Sequence, residues 1–278
     1  MQSDMEVPFM VVMASSIEAA STRRRSSSDG TGFWHTTFIG TNRILRREYP
    51  EHPLSQGDLP ELGTLYPVGF LVEQDPNSTV RAHFHEADQF QVIVGGNGRM
   101  ASHAVEGIAV HYTNAHSPYG PIVAGEQGVQ YFTLRNSYDR MARYMPESRP
   151  DLRQVQRSFR EATAAVQPPL NPGELAGTRA ISTEAIAPQE DGLGAWCYRL
   201  PVGGRMTGPD PRTGAGQYWL VLGGTLATVA RAVLPPASLV FVSPVETPFE
   251  AVAGDAGLEI LCMQYPDRGT LKPPAVRG

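Results

Sequence analysis

Val80-Arg-Ala-His-Phe-His-Glu-Ala-Asp-Gln-Phe-Gln-Val-Ile-Val-Gly-Gly-Asn-Gly98 is the stretch on which the fold turns. His83 and His85 stand two residues apart in an extended, glycine-terminated segment, so both imidazoles leave the same face of a strand. Gln89 follows four residues later with the same parity and can close on the same point. Two converging imidazoles with an oxygen donor suit a divalent transition metal. The plainer alternative is one histidine packed in a core and the other solvated. Arg81 shares the parity on one side and Gln91 continues it on the other, which makes both candidate substrate contacts; for Arg81 the competing role is a solvated rim arginine.

From Thr64 onward, short apolar runs alternate with turn signals: Tyr66 to Val72, Asp75-Pro-Asn-Ser78, Phe90 to Val94, Gly95 to Gly98, Gly107 to Val110 and Val129 to Leu134. That rhythm predicts an all-β protein built as an antiparallel barrel or sandwich. The second half repeats it. Gln89-Phe-Gln-Val-Ile-Val-Gly-Gly96 answers Gln217-Tyr-Trp-Leu-Val-Leu-Gly-Gly224 at a constant offset, and Ala124-Gly-Glu-Gln-Gly-Val129 answers Ala253-Gly-Asp-Ala-Gly-Leu258. Glycines agree as well as apolar positions, and the small changes of offset fall in loops.

The quoted stretch resembles the first motif of the cupin superfamily: two histidines one residue apart, a spacer, a glutamate and a later glycine on two strands of a small β-barrel. His83 and His85 match the histidines, Gln89 stands where the glutamate should be, and Gly95-Gly96 occupy the turn. The second motif is a Pro-x-Gly and then a histidine. Its counterpart, Ser117-Pro-Tyr-Gly-Pro-Ile-Val123, keeps the proline and glycine but has Val123 near the histidine position, with Tyr119 the nearest side chain able to stand in. Together with the repeat, the resemblance implies a bicupin, with two jelly-roll barrels in one chain.

The expected organisation is a flexible N-terminal tail over 1–32, an N-terminal cupin barrel with the metal site over 33–147, a helical linker over 148–174, a degenerate C-terminal barrel over 175–270 and a tail over 271–278. The helix is read from Leu152, Val155, Phe159, Ala162 and Val166, spaced by threes and fours, with Ser148 and Asp151 at its start and Pro168-Pro169 at its end. The apolar run Met5 to Met13 lacks preceding positive charge and is too short to span a bilayer, so it reads as a tail or edge strand packing on a partner subunit. Ser15 to Gly32, rich in Ser and Arg, reads as a flexible linker.

Net charge is −5 with pI near 5.8, which supplies no basic field for nucleic acid or an anionic membrane. Cys197 and Cys262 are too few for a disulfide framework, and a reducing cytoplasm is the simpler location. A small-molecule partner is expected, and the resemblance to cupins implies homodimerisation.

All seven histidines lie in the first half; Pro211 and Thr213 align with His83 and His85, so the second barrel cannot carry the same site. Gln217 opposite Gln89 leaves Gln89 open as a metal ligand or as a packing and hydrogen-bonding residue. Tyr119 differs from its counterpart Phe249 by the hydroxyl a metal or substrate would use, and is also the candidate general acid or base. His116 and, less well placed, His111 are alternative donors. His52 and His103 read as exposed, and Arg43, Arg46 and Arg47 as solvated. Trp34 and His35 could cap a pocket or pack across a barrel mouth.

Two imidazoles and an amide leave a bound dication its full charge, which favours an anionic carboxylate, enolate or phenolate as substrate. The leading expectation is a metal-dependent dioxygenase acting on a small organic acid or a phenolic or carbonyl compound, with Fe(II) as metal and Mn, Ni, Co or Zn as alternatives. Rivals are a metal-dependent lyase, isomerase or cyclase, a non-catalytic binding module, and a metal-free epimerase or isomerase. The last needs a histidine with a carboxylate partner, for which the sequence offers only the local pairing of His85 with Asp88 or Glu86.

Overall fold

A computed structural model describes residues 11–41, 46, 59–155, 158–228 and 233–272. The alternating runs become two antiparallel sheets. The first orders its strands as Glu161–Val166, Ile108–Thr113, Gln89–Met100, Ile122–Ser137, Leu65–Gln74, Thr31–Ile39 and Arg24–Ser28. The second runs Val11–Ala14, Leu239–Val242, Gln217–Ala227, Glu250–Gln264, Gly194–Leu200 and Ile181–Ile186.

Period-two alternation on these strands makes three cores instead of one. Phe90, Val92, Phe132 and Leu134 face the opposite barrel, where Tyr218, Leu220, Leu261 and Met263 meet them. Ile93, Phe70, Val72 and Tyr131 fill the first barrel, and Trp219, Val221, Ile260 and Cys262 the second. Polar ties cross the interface: the Tyr265 hydroxyl donates to Leu134 O at 2.7 Å and Asn136 Nδ2 to Ala215 O at 2.8 Å. Because Phe90 and Val92 point to the interface, the residues that alternate with them, Gln89 and Gln91, must point into the barrel.

The internal repeat holds in three dimensions. Gly96 and Gly224 both adopt positive φ (78° and 64°), and a Cβ on either would stand 2.2 Å from a carbonyl oxygen, that of Gly128 or its counterpart Gly257. Only glycine fits these two crossings.

Several sequence expectations are corrected. The linker helix is a single turn, Arg149–Leu152, and Glu161–Val166 is instead a strand on the edge of Ile108–Thr113. Ala162 and Val166 are four apart, a step compatible with both a helical stripe and a strand face, and the open edge of Ile108–Thr113 decides in favour of the strand. The segment 15–32 is ordered. Ser15 caps the short helix Ser16–Ala19, and Arg24–Ser28 pairs with Thr31–Ile39 across a two-residue turn in which Asp29 and Gly30 both have positive φ (52° and 80°). Asp-Gly in such a turn is a strong hairpin signal. The end of the early apolar run, Val11–Ala14, pairs with Leu239–Val242 of the same chain, in place of the partner-subunit packing expected. Residues 5–10, Arg43, Arg47 and His52 lie outside the described residues. Among the described residues no helix is long and apolar enough to cross a membrane.

Candidate active site in the N-terminal barrel

His83 and His85 flank Phe84 on a short strand, His83–Phe84, that closes one end of the first barrel against Arg143–Tyr144. The alternation puts Phe84 into packing and both rings toward the barrel, 5.2 Å apart between centroids. Both histidines are buried.

Their protonation follows from their partners. His83 Nδ1 lies 2.8 Å from Arg81 O, a group that only accepts, so Nδ1 carries the proton and the Nε2 lone pair receives the Tyr119 hydroxyl at 2.8 Å. His85 Nδ1 donates to the Asp139 carboxylate at 2.8 Å, leaving its Nε2 to accept from Arg135 Nη2 at 3.0 Å. Burial holds both imidazoles neutral, His83 down to about 3, with the neighbouring His85 as a second cause; for His85 the second cause is the Arg135 charge. Burial alone would raise Asp139, but His85 and Arg135 outweigh it and hold the carboxyl at about 2.

Gln89 closes the ring. Its Nε2 donates to the Tyr119 oxygen at 2.8 Å, and its Oε1 accepts twice from Arg135, at 2.9 Å from Nε and 2.7 Å from Nη2. Arg135 also meets Asp139 Oδ2 at 3.2 Å through Nη1. Burial raises the Tyr119 hydroxyl well above its ordinary range, so it serves as a donor.

A cavity of about 150 Å³ opens beside this ring, bounded by Phe33, Phe70, Val72 and Tyr131 on its apolar side and reaching the surface past Arg140 and Tyr144. An engineered cavity of this size in another protein admits one benzene ring. Gln91 borders it, and its Oε1 is buried without a partner. A larger cavity of about 320 Å³ lies where the barrels meet, beside carboxylates that are already paired: Asp88 with Arg268 at 2.9 Å and Glu86 with Arg140 at 2.5 Å.

His83, His85, Gln89, Tyr119 and Gln91 are therefore gathered at one place, and three other expected contacts are not. Trp34 lies on the outer face, 37% exposed, with the Arg23 guanidinium 4.0 Å above its ring. Arg81 turns outward, spends its charge on Asp29 and Glu147 and lies over the Tyr144 ring at the cavity mouth, while its carbonyl holds His83. His116 lines the cavity between the barrels, and its backbone N–H donates to His85 O at 2.7 Å. His85 does have a carboxylate partner, but it is Asp139 in place of the Asp88 or Glu86 expected from sequence.

Arg135 and Asp139 escaped sequence reading. The available signal for Arg135 was a charge at inward parity in the otherwise apolar run Tyr131-Phe-Thr-Leu134, and the partner it meets across the sheet, Gln89, is 46 residues away in sequence.

The ring does not fit a divalent metal as it stands. Both Nε2 lone pairs and Gln89 Oε1 are already engaged, two of the three by a guanidinium, and among the described residues no three His, Cys, Asp or Glu side chains group to hold an ion. Two unit charges 4 Å apart repel by about 4 kcal/mol near a protein surface, and a dication doubles that against Arg135. Asp139, the single carboxylate in the ring, is already matched by Arg135.

No protein-family model matches the chain, and no curated protein matches it in sequence. Solved structures do. A provisionally assigned dioxygenase of Nostoc punctiforme is similar over 100% of this chain and 90% of its own, with a TM-score of 0.57 at 10% identity. The pirin YhhW of Escherichia coli, solved with nickel(II), covers 92% and 99% with a TM-score of 0.53 at 10% identity. Oxalate decarboxylase of Lactobacillus farciminis, in a formate complex, covers 94% and 87% with a TM-score of 0.52 at 11% identity. At such identities the likeness extends to the fold.

Proposed function

We propose that this chain, a cupin double barrel in fold, uses its N-terminal barrel to bind a small organic anion and to move protons on it. The observation that carries this is the pairing of a buried guanidinium, Arg135, with two hydrogen-bonded proton carriers at the polar end of an apolar cavity. The anion meets Arg135, whose planar fork suits a carboxylate or enolate. As Nη2 turns to the anion it leaves His85 Nε2, and the freed lone pair, with Asp139 orienting the ring, becomes the proton acceptor. Tyr119, steadied by His83 and Gln89, is the donor. Apolar walls exclude water, and Gln91 Oε1 offers an acceptor to a hydroxyl or N–H of the substrate. An isomerisation, epimerisation or elimination on a carbonyl or hydroxy acid needs these parts.

The test is hydrogen exchange at carbon. Small oxo, hydroxy and aromatic acids incubated in D₂O with the protein are followed by NMR. Deuterium uptake into one of them, slowed about 100-fold or more in His85→Ala and Tyr119→Phe, is the expected result. Binding without exchange would leave a non-catalytic binding module, and no binding at all would end the proposal.

A second reading, the metal-dependent dioxygenase or lyase suggested by the sequence resemblance, draws support from neighbours of the same fold, one provisionally assigned as a dioxygenase and one solved with nickel(II). On that reading His83 and His85 would hold the ion, Fe(II) or another divalent metal, after Arg135 had withdrawn. Oxygen uptake that depends on added Fe(II) distinguishes it. Cys197 and Cys262 are unpaired and belong to different cores, which supports a reducing location such as the cytoplasm.

A further inference from the structure

Gln89 and Arg135 are cross-strand partners, and the repeat has placed Gln217 and Gln264 in the same relation in the other barrel. There the pair is two amides, Gln217 Nε2 donating to Gln264 Oε1 at 2.7 Å. The same two positions therefore carry no charge in one barrel and a buried cation in the other. Resting on the N-terminal barrel being the functional half, we propose that Arg135 is that barrel's resident cation, standing in for a divalent ion, and that guanidinium and metal exclude one another at His83, His85 and Gln89. The ligand class that follows is a monoanionic carboxylate or enolate of about one ring in size. The groups that would ligate a metal are the ones Arg135 and Tyr119 satisfy: His85 Nε2 and Gln89 Oε1 by the first, His83 Nε2 by the second. The guanidinium is 7% exposed as a residue and matched by one carboxylate, so the site is neutral with Arg135 in place.

The experiment is metal content and cobalt(II) titration of the full chain, read by elemental analysis and visible absorption, with benzoate binding measured in parallel. The expected wild type carries less than about a tenth of an equivalent of metal, develops no cobalt spectrum and binds benzoate. Arg135→Gln, the residue at the matching place in the other barrel, gains cobalt affinity by about 100-fold and loses benzoate affinity by about 10-fold. Adding Gln89→Glu to it strengthens cobalt further. Should Arg135→Gln not fold, Arg135→Lys keeps the charge and is expected to exclude cobalt as the wild type does. A stoichiometric metal in the wild type, removed by His83→Ala, overturns the proposal, as does an Arg135→Lys variant that takes cobalt as readily as Arg135→Gln. Failure of the wild type to bind benzoate or any other acid, with metal still excluded, would instead sink the proposed function and the ligand class with it, and leave the mutual exclusion of guanidinium and metal standing.

Discussion

The two barrels share strands, register and glycine crossings, and differ in what they hold inside. Aligned positions read Gln89 and Gln217, Gln91 and Trp219, Tyr119 and Phe249, Thr133 and Cys262, Arg135 and Gln264. In the second barrel Trp219 is fully buried between Tyr198 and Phe249, 5.7 and 5.1 Å away by centroid, and its indole N–H donates to Gln217 Oε1 at 3.1 Å. In the first, the matching Gln91 is small enough to leave a cavity and keeps an acceptor unspent. A pocket in this scaffold is thus decided at a handful of inward positions, because the outward ones are committed to the interface between barrels.

The contrast can be broken hardest at Trp219. Trp219→Ala should cost about 3–5 kcal/mol in denaturant unfolding by opening a void in the second barrel, while acid binding in the first stays unchanged; a shift in both would tie the interiors together. Removing the counterion is next. Asp139→Ala leaves the Arg135 charge buried and unmatched, an expected loss of about 3–5 kcal/mol, and Arg135→Gln, which leaves the equally buried Asp139 carboxylate to His85 Nδ1 and the Glu86 N–H, should cost a similar amount.

Acid should separate the barrels as well. His35, His83, His85 and His111 are all buried in the first barrel and held below their ordinary range by burial, His35 and His83 to about 3 and His111 to about 4. The unfolded chain takes up protons on them from about pH 6.5 downward and the folded chain does not. Stability should therefore fall as pH drops below about 6.5, by up to about 1.4 kcal/mol per pH unit for each histidine. Asp139 adds a further loss between about pH 4 and 2, since its carboxylate is favoured in the fold. The second barrel has no histidine, so variants with buried histidines replaced by glutamine should flatten the curve of unfolding free energy against pH.

At the crossings the expectation is equality. Gly96→Ala and Gly224→Ala each force a Cβ into a carbonyl, and each should cost about 1–3 kcal/mol by thermal or denaturant unfolding, with no preference for either barrel. Least affected should be Arg81→Ala and Trp34→Ala, within about 1 kcal/mol, and without change in acid binding, since both side chains face outward.

The double barrel was legible in the sequence because it rests on short-range signals: period-two runs, glycine turns and a repeat that keeps its offset. The His83 and His85 pair was legible for the same reason, two residues on one strand. Arg135 and Asp139 were not, because a partner across a sheet is set by register, and a one-residue slip would send Arg135 to the interface and Leu134 inward. Trp34, by contrast, was misplaced through parity: on Thr31–Ile39 it is Phe33 and His35 that turn inward. The strand at 161–166 was hidden behind a spacing that two periodicities share.

Val11–Ala14 finds its partner 231 residues later, Val11 opposite Val242. Translation delivers this strand long before its docking edge, so until the ribosome has passed that edge four apolar residues must wait without that neighbour. Slow closure of the last seam, and a nascent chain open to mispairing with other nascent chains, are the consequences of such a distant join. Changes to this segment should register first in the later barrel, through the lost seam, and then in the core it shares with the earlier one, where Ala14 joins Phe38 and Ile39.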